Sequence, residues 1–298
     1  MALFELTPDA TGLALARPVL VVAMEGWIDA GAAAATALTT LLAAGTATTV
    51  ATFDDDRLLD HRARRPVMRL VDGMNVGLTW PETRLLALPA AALGRDTLLL
   101  VGPEPDHEWR AFCDAVVHLA GRFDVAMMAG LGGFPAPVPH TRPTRVVATA
   151  TTADLAAEVG YLPVTIDVPA GIESALESRL HAAGLPAVGL WARVPHYVSA
   201  MPYPEASAAL IDTLQRVTGV GADTTELRAE GMAHRERVDE LVAGNPEHSA
   251  MVRALETQID EEAGSTGSIN PLAGGPGGLP SGDELAAELE RFLRGEGA

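Results

Sequence analysis

Short apolar runs alternate with amphipathic stretches along the first 220 residues of the chain. Residues 19–24, 47–53, 97–101, 125–131, 145–150, 164–167 and 187–194 have strand length and are bounded by turn-forming residues, which predicts strands. Apolar positions at helical spacing predict helices over 32–42, 106–120, 172–183 and 204–217. Residues 67–71, 76–80 and 84–88 are short segments separated by turns, Asp72-Gly73 among them, and read as a meander. Strand–helix alternation of this kind predicts an α/β fold: a central mixed, mostly parallel sheet with helices on both faces.

The pattern changes near Gly219. Asp223 and Glu226 have capping-box spacing, and Leu227, Val238, Leu241 and Val242 form a broken helical stripe. Asn245-Pro246 interrupts it before Met251, Val252, Leu255 and Ile259 resume, so residues 221–262 read as a C-terminal helical hairpin appended to a sheet domain spanning 1–220. Residues 263–282 hold seven glycines and three prolines without a charge, which is linker composition. Ser281 and Glu284 then cap a short helix over 283–295, with Leu285, Leu289, Phe292 and Leu293 on one face. So short a helix is marginal alone and is expected to dock on its own chain, a sister subunit or another partner.

Composition narrows the chemistry. The net charge of −18 argues against nucleic acid and anionic membranes as partners, since both need basic surface. The basic side chains are all arginine; without lysine there is no Schiff base, no P-loop lysine and no lysine clamp on nucleotide phosphates. Cys113 stands alone inside a predicted helix, which leaves no disulfide framework and no thiolate metal site, and it reads as a small buried hydrophobe. No cofactor and no metal are expected. No apolar run approaches the length of a membrane helix and no signal-like N-terminus is visible, so a cytoplasmic protein is expected.

Candidate chemistry gathers in the loops after strands. Gly26-Trp27-Ile28-Asp29-Ala30-Gly31 joins the first strand to the first helix, with Asp29 at the helix start and Gly31 permitting close backbone approach. It matches no nucleotide fingerprint. The second loop runs from Asp54-Asp55-Asp56-Arg57 to His61-Arg62-Ala63-Arg64-Arg65 and reads either as an ion-pair network or as arginine forks for a carboxylate or phosphate. The third holds Glu104 and Asp106 near a helix N-terminus, where carboxylates serve as caps unless Glu104 faces the Asp29 loop. The fourth is proline-rich and carries His140 and Arg142. Asp29, Asp54 and His140 are the candidates for acid–base work. Gly26, Trp27, Asp29, Gly31, Arg62, Arg64, Glu104 and Arg142 are the candidates for ligand binding. A last loop gathers His196, Tyr197 and Tyr203 among prolines and is the candidate partner-binding surface.

In order along the chain, Gly26-Trp27-Ile28-Asp29-Ala30-Gly31, the segment from Thr52-Phe53-Asp54 to Arg65-Pro66, Gly102-Pro103-Glu104-Pro105-Asp106, Pro137-Val138-Pro139-His140-Thr141-Arg142-Pro143 and the segment from Val194-Pro195-His196-Tyr197 to Pro202-Tyr203-Pro204 resemble the proteasome assembly chaperone family, more narrowly its uncharacterised actinobacterial branch. The resemblance spans about residues 4–262. It implies a fold related to nucleoside phosphorylases and peptidyl hydrolases, a homo-oligomer of sister subunits, and proteasome subunits as partners, because the eukaryotic members pair to assemble proteasome α-rings. An older label tied to the branch, ATP-dependent carboligase, conflicts with the lack of lysine. Some relatives dock through a hydrophobic-Tyr-any tail, whereas this sequence ends Gly295-Glu296-Gly297-Ala298. The expected function is non-enzymatic interaction or assembly; the alternative is a small-ligand binder or a hydrolase- or phosphorylase-like enzyme with its pocket at the strand ends.

Overall fold

Each long apolar run becomes a strand, and the computed structural model describes residues 3–26 and 28–264. In chain order the elements are β1 (Phe4–Leu6), β2 (Val19–Glu25), α1 (Ala33–Ala43), β3 (Thr48–Phe53), α2 (Asp55–Leu58), β4 (Val67–Val71), β5 (Met74–Thr79), β6 (Arg84–Leu88), α3 (Ala90–Leu93), β7 (Thr97–Pro103) and α4 (Trp109–Arg122). They continue with β8 (Met127–Ala136), β9 (Val146–Ala150), α5 (Ala153–Val159), α6 (Ile172–Ala182), β10 (Ala187–Pro195), α7 (Pro204–Thr218), α8 (Thr225–Ala243) and α9 (Pro246–Gly264).

Eight strands form one sheet in the order β1-β3-β6-β7-β2-β8-β10-β9. The middle four, β7, β2, β8 and β10, are parallel. Every pairing outside them is antiparallel, so the sheet is mixed and the expectation of a mostly parallel one is corrected. The cause is connection length. Parallel neighbours need a crossover of a dozen residues or more; β6 and β7 are joined through residues 89–96 alone and must turn back on each other.

Alternation along β2 feeds two cores. Val19, Val21 and Ala23 face α1 and α7; Leu20, Val22 and Met24 face α4 and α6. Because the interior has few aromatics, small residues let the layers approach. Gly31 shows it most clearly, with φ of 68° and room for a Cβ only 2.7 Å from that of Tyr203. Its N–H donates to the Ser199 carbonyl at 2.7 Å, and its carbonyl accepts from the Tyr203 N–H at 2.8 Å.

The hairpin α8–α9 rests on α7. Leu227 and Val238 join the α1/α7 core, and Val252, Leu255 and Ile259 are buried as their spacing foretold. Leu241, assigned to the stripe, is 69% exposed; Gly231 and His234 take the inner positions instead. Asp223 precedes the N-cap, Thr224, and accepts from the Thr225 N–H and hydroxyl.

Two further expectations fail. Residues 164–167 form no strand; Pro163 and Pro169 flank them, and each lacks the backbone donor a ladder needs. The meander is broken: β6 enters the main sheet, while β4 and β5 pair only with each other as a separate ribbon. Helix α5 and strand β1 were not anticipated. The linker assigned to 263–282 lies, past the end of α9, outside the described residues, as does the helix assigned to 283–295.

Candidate functional site

The loops expected to carry chemistry do meet at the carboxyl ends of the central strands, with most of their polar groups committed to neighbouring loops or to the appended helices. Asp29 opens the turn into α1, where its two carboxylate oxygens accept from the Ala34 N–H at 2.8 Å and the Ala35 N–H at 3.0 Å. A bridge to Gly133 ties the same residue to β8. It is a helix cap by geometry. Trp27 lies outside the described residues.

Glu104 does face this loop. It is buried, its Oε2 would lie 3.4 Å from a Cβ on Gly26, and its Oε1 accepts from the Ile172 N–H at 2.6 Å, capping α6. Beside it sit two acids missed in the sequence, Glu173 and Glu177, both turned from α6 into the sheet. Gly130 and Gly189 make room: a Cβ there would stand 2.9 Å from Glu173 Oε2 and 2.4 Å from Glu177 Oε1. Burial, reinforced by Glu177, Asp29 and Glu104, pushes the Glu173 carboxyl well above its ordinary range, although the Met24 N–H opposes the shift. Glu173 Oε2 is buried without a hydrogen-bond partner among the described residues. The i, i+4 spacing of the two glutamates beside Leu176 and Leu180 was the available signal; charge on an apolar helix face reads as exposed by default.

The second and third loops pair across space. Arg57 grips Glu108 with contacts of 3.1 and 2.5 Å, and Arg64 reaches Asp106 at 2.5 Å. Asp106 also accepts from the Asp60 N–H at 2.8 Å; these donors hold its carboxyl below the usual range, against the pull of partial burial. Asp55 accepts from the Thr83 N–H, and His61 meets Asp56 at 3.0 Å. Asp54 opens α2 with its backbone. The Arg62 guanidinium, exposed, makes no ion pair among the described residues.

The fourth loop is clamped to the appendage. His140 is 1% exposed, with Nδ1 2.7 Å from the Tyr197 hydroxyl and Nε2 2.9 Å from Asp239 Oδ1 on α8. One tautomer serves both: the hydroxyl donates to Nδ1, while Nε2–H donates to Asp239. The same hydroxyl accepts the His140 backbone N–H at 2.8 Å. Burial pushes the Tyr197 phenol up to about 12, which makes it a poor nucleophile at neutral pH. Thr141 donates to Glu256 at 2.5 Å, and Arg142 spans Glu256 and Asp260 on α9 at 3.1 and 2.7 Å. Tyr203, 3% exposed, packs edge-on against His234 of α8, so in this chain it points inward.

Asp29, Asp54 and His140 thus belong to three separate hydrogen-bond systems. Among the described residues no group of His, Cys, Asp and Glu is arranged to hold a metal. Cys113 is buried and its thiol is pushed up to about 11 by burial, far from a reactive thiolate. No helix of the described residues is long and apolar enough to cross a membrane.

A mixed open sheet, helices on both faces and strand-end loops stapled to a C-terminal helix pair describe a protein built around its packing more than around a pocket. Residues 23–242 match the model of the PAC2 family, and the chain belongs to that family. Among solved structures it is similar to a Corynebacterium glutamicum protein of unknown function, with 31% identity, a TM-score of 0.81 and coverage of 88% of this chain and 98% of that one. It is similar to a Mycobacterium tuberculosis protein of unknown function at 34% identity and a TM-score of 0.80, covering 89% and 93% of the two chains. A Mycobacterium tuberculosis proteasome-assembly chaperone homologue follows at 36% identity and a TM-score of 0.73, covering 78% and 99%. No curated protein sequence matches the chain.

Proposed function

We propose that the chain works by protein association, as a non-enzymatic assembly-chaperone-like protein of the cytoplasm, and that it acts as a homo-oligomer. The observation that carries this reading is the β4–β5 ribbon. Every residue of both strands is exposed, with Val67 at 70%, Met74 at 63% and Leu70 at 58%. A lone two-stranded ribbon is marginal in water, and an uncovered apolar patch of this kind marks an interface. The occupant we assign is a second copy of the chain. Copies carrying −18 each repel, and the ribbon, with one Arg69 and one Asp72, is a locally neutral surface on which they can meet. Likeness to the proteasome-assembly chaperone homologue supports proteasome subunits as the partners on which such an oligomer would act. Catalysis at Asp29 or His140 is disfavoured because their side-chain polar atoms cap a helix and fasten a loop.

Light scattering on the full chain tests the association. A multimer is expected, falling to monomer in a Val67→Thr, Leu70→Ser, Met74→Ser variant whose far-UV spectrum is unchanged. A monomeric parent, or a variant multimer of the same mass, would overturn the assignment. Mixing with recombinant proteasome α subunits and following ring formation tests the assembly role separately.

A further inference from the structure

We propose that the outer edge of β9 carries a binding site for a small phosphate monoester, held by Arg145, Arg193 and Arg216. The three side chains border an open cavity of ≈ 430 Å³, within the range of small-ligand sites. Arg193 is the anchor. It projects from β10 and is 5% exposed, while its backbone N–H donates to the Arg145 carbonyl at 3.0 Å, which sets the two arginines side by side where β9 and β10 begin to pair. Placing like charges opposite each other across a ladder is destabilising, and burying one of them adds to the cost. Burial, and beside it the Arg145 charge, draw the Arg193 guanidinium down from its ordinary range against the opposing pull of Glu262.

What surrounds the arginines does not balance them. Among the described residues the cavity's one acid is Glu262, 3.7 Å from Arg193 Nη1. Arg145 is exposed and has no ion pair among the described residues. Arg216 gives one nitrogen to the Glu158 carbonyl at 2.9 Å. Among the described residues, three guanidinia against one carboxylate leave an excess of two positive charges on a chain of net −18. A phosphate monoester carries about −1.5 to −2 at neutral pH and presents oxygens that arginine forks meet in pairs. Apart from Thr213 the remaining wall is apolar and aromatic, with Tyr161 57% exposed beside Leu162 and Pro163, which suits an organic group esterified to the phosphate. None of the loops assigned above lines this cavity, and the inference is independent of self-association.

Calorimetric titration of the full chain with phenyl phosphate, at ionic strength fixed with chloride, tests it. Saturable binding is expected, weakened about tenfold or more in Arg145→Ala and in Arg216→Gln. Both residues are exposed, so the variants should fold, which a melting curve checks. Inorganic phosphate is expected to compete for the same site more weakly. Competition as strong as that of phenyl phosphate would still support an oxyanion site and would assign the free ion as its ligand. Absence of saturable binding, binding unaffected by both substitutions, or equal affinity for benzoate would overturn the proposal.

Discussion

Two excursions leave the carboxyl end of the sheet and meet opposite fates. Residues 137–143 follow β8 and carry the histidine and arginine that look most like chemistry; residues 67–79 follow β3 and carry mostly apolar side chains. In the first, His140, Thr141 and Arg142 each have partners on α8 or α9. In the second, no side chain is buried. Residues that suggest a reaction are thus occupied with holding the helix pair in place, and residues that suggest nothing chemical form the uncovered surface. Polar groups already paired inside a chain offer little to a ligand, whereas uncovered apolar area retains its full driving force for association.

The sharpest way to break this contrast is to remove the clamp. His140→Ala deletes a buried ring with two hydrogen bonds and strips the Tyr197 hydroxyl of its acceptor. The expected loss is about 2–4 kcal/mol, read from urea unfolding followed by far-UV circular dichroism. A loss near zero would show that the loop is not fastened by His140 and would return the histidine to the list of groups available for chemistry.

A smaller effect separates the buried acids from the exposed ones. Glu173 keeps its proton in the folded chain at pH values where the unfolded chain has lost it. The folded state then binds more protons, so this group costs stability as pH rises above the unfolded value of 4.5, and the cost stops growing once the folded carboxyl ionises. Glu177, Asp29 and Glu104 face it from α6 and the strand-end loops. Glu173→Gln should therefore match the parent near pH 4 and exceed it by about 1 kcal/mol or more at pH 8. Because the exposed pairs, among them Arg57–Glu108, are present in both proteins, the difference between the two melting profiles isolates the buried group. A constant difference across pH would show that folding does not shift the Glu173 carboxyl.

The parts legible in the sequence are those whose cause is local. The β2 run, the helices at 109–122, 172–182 and 204–218, and the buried face of α9 follow from periodicity within a few turns. Asp29 at a helix start and Gly31 at a close approach follow from residue type and position. What escaped notice depends on distant partners: His140 meets Asp239 and Arg142 meets Asp260, 99 and 118 positions away, so a helix-bound acid gave no sign that the loop histidine was taken. Glu173 and Glu177 were missed because the glycines that admit them, at 130 and on the neighbouring strand at 189, signal nothing until the sheet is assembled. The ribbon was misread as part of a meander because alternation specifies a strand without specifying its partner.

The smallest expected effect bears on the other half of the comparison. Leu70 is 58% exposed in a ribbon that belongs to a sheet of its own, so Leu70→Ser removes apolar area that water already touches in one copy of the chain. At concentrations low enough to hold the chain as single copies, its unfolding free energy should stay within about 0.5 kcal/mol of the parent. At high concentration the same substitution should lower the melting temperature, because a copy that covers Leu70 binds only the folded state and adds stability by mass action. Concentration dependence in the parent that vanishes in the variant is the expected signature. A variant that loses stability equally at every concentration would mean that Leu70 is packed within its own chain, and the contrast between the clamped loop and the uncovered ribbon would fail.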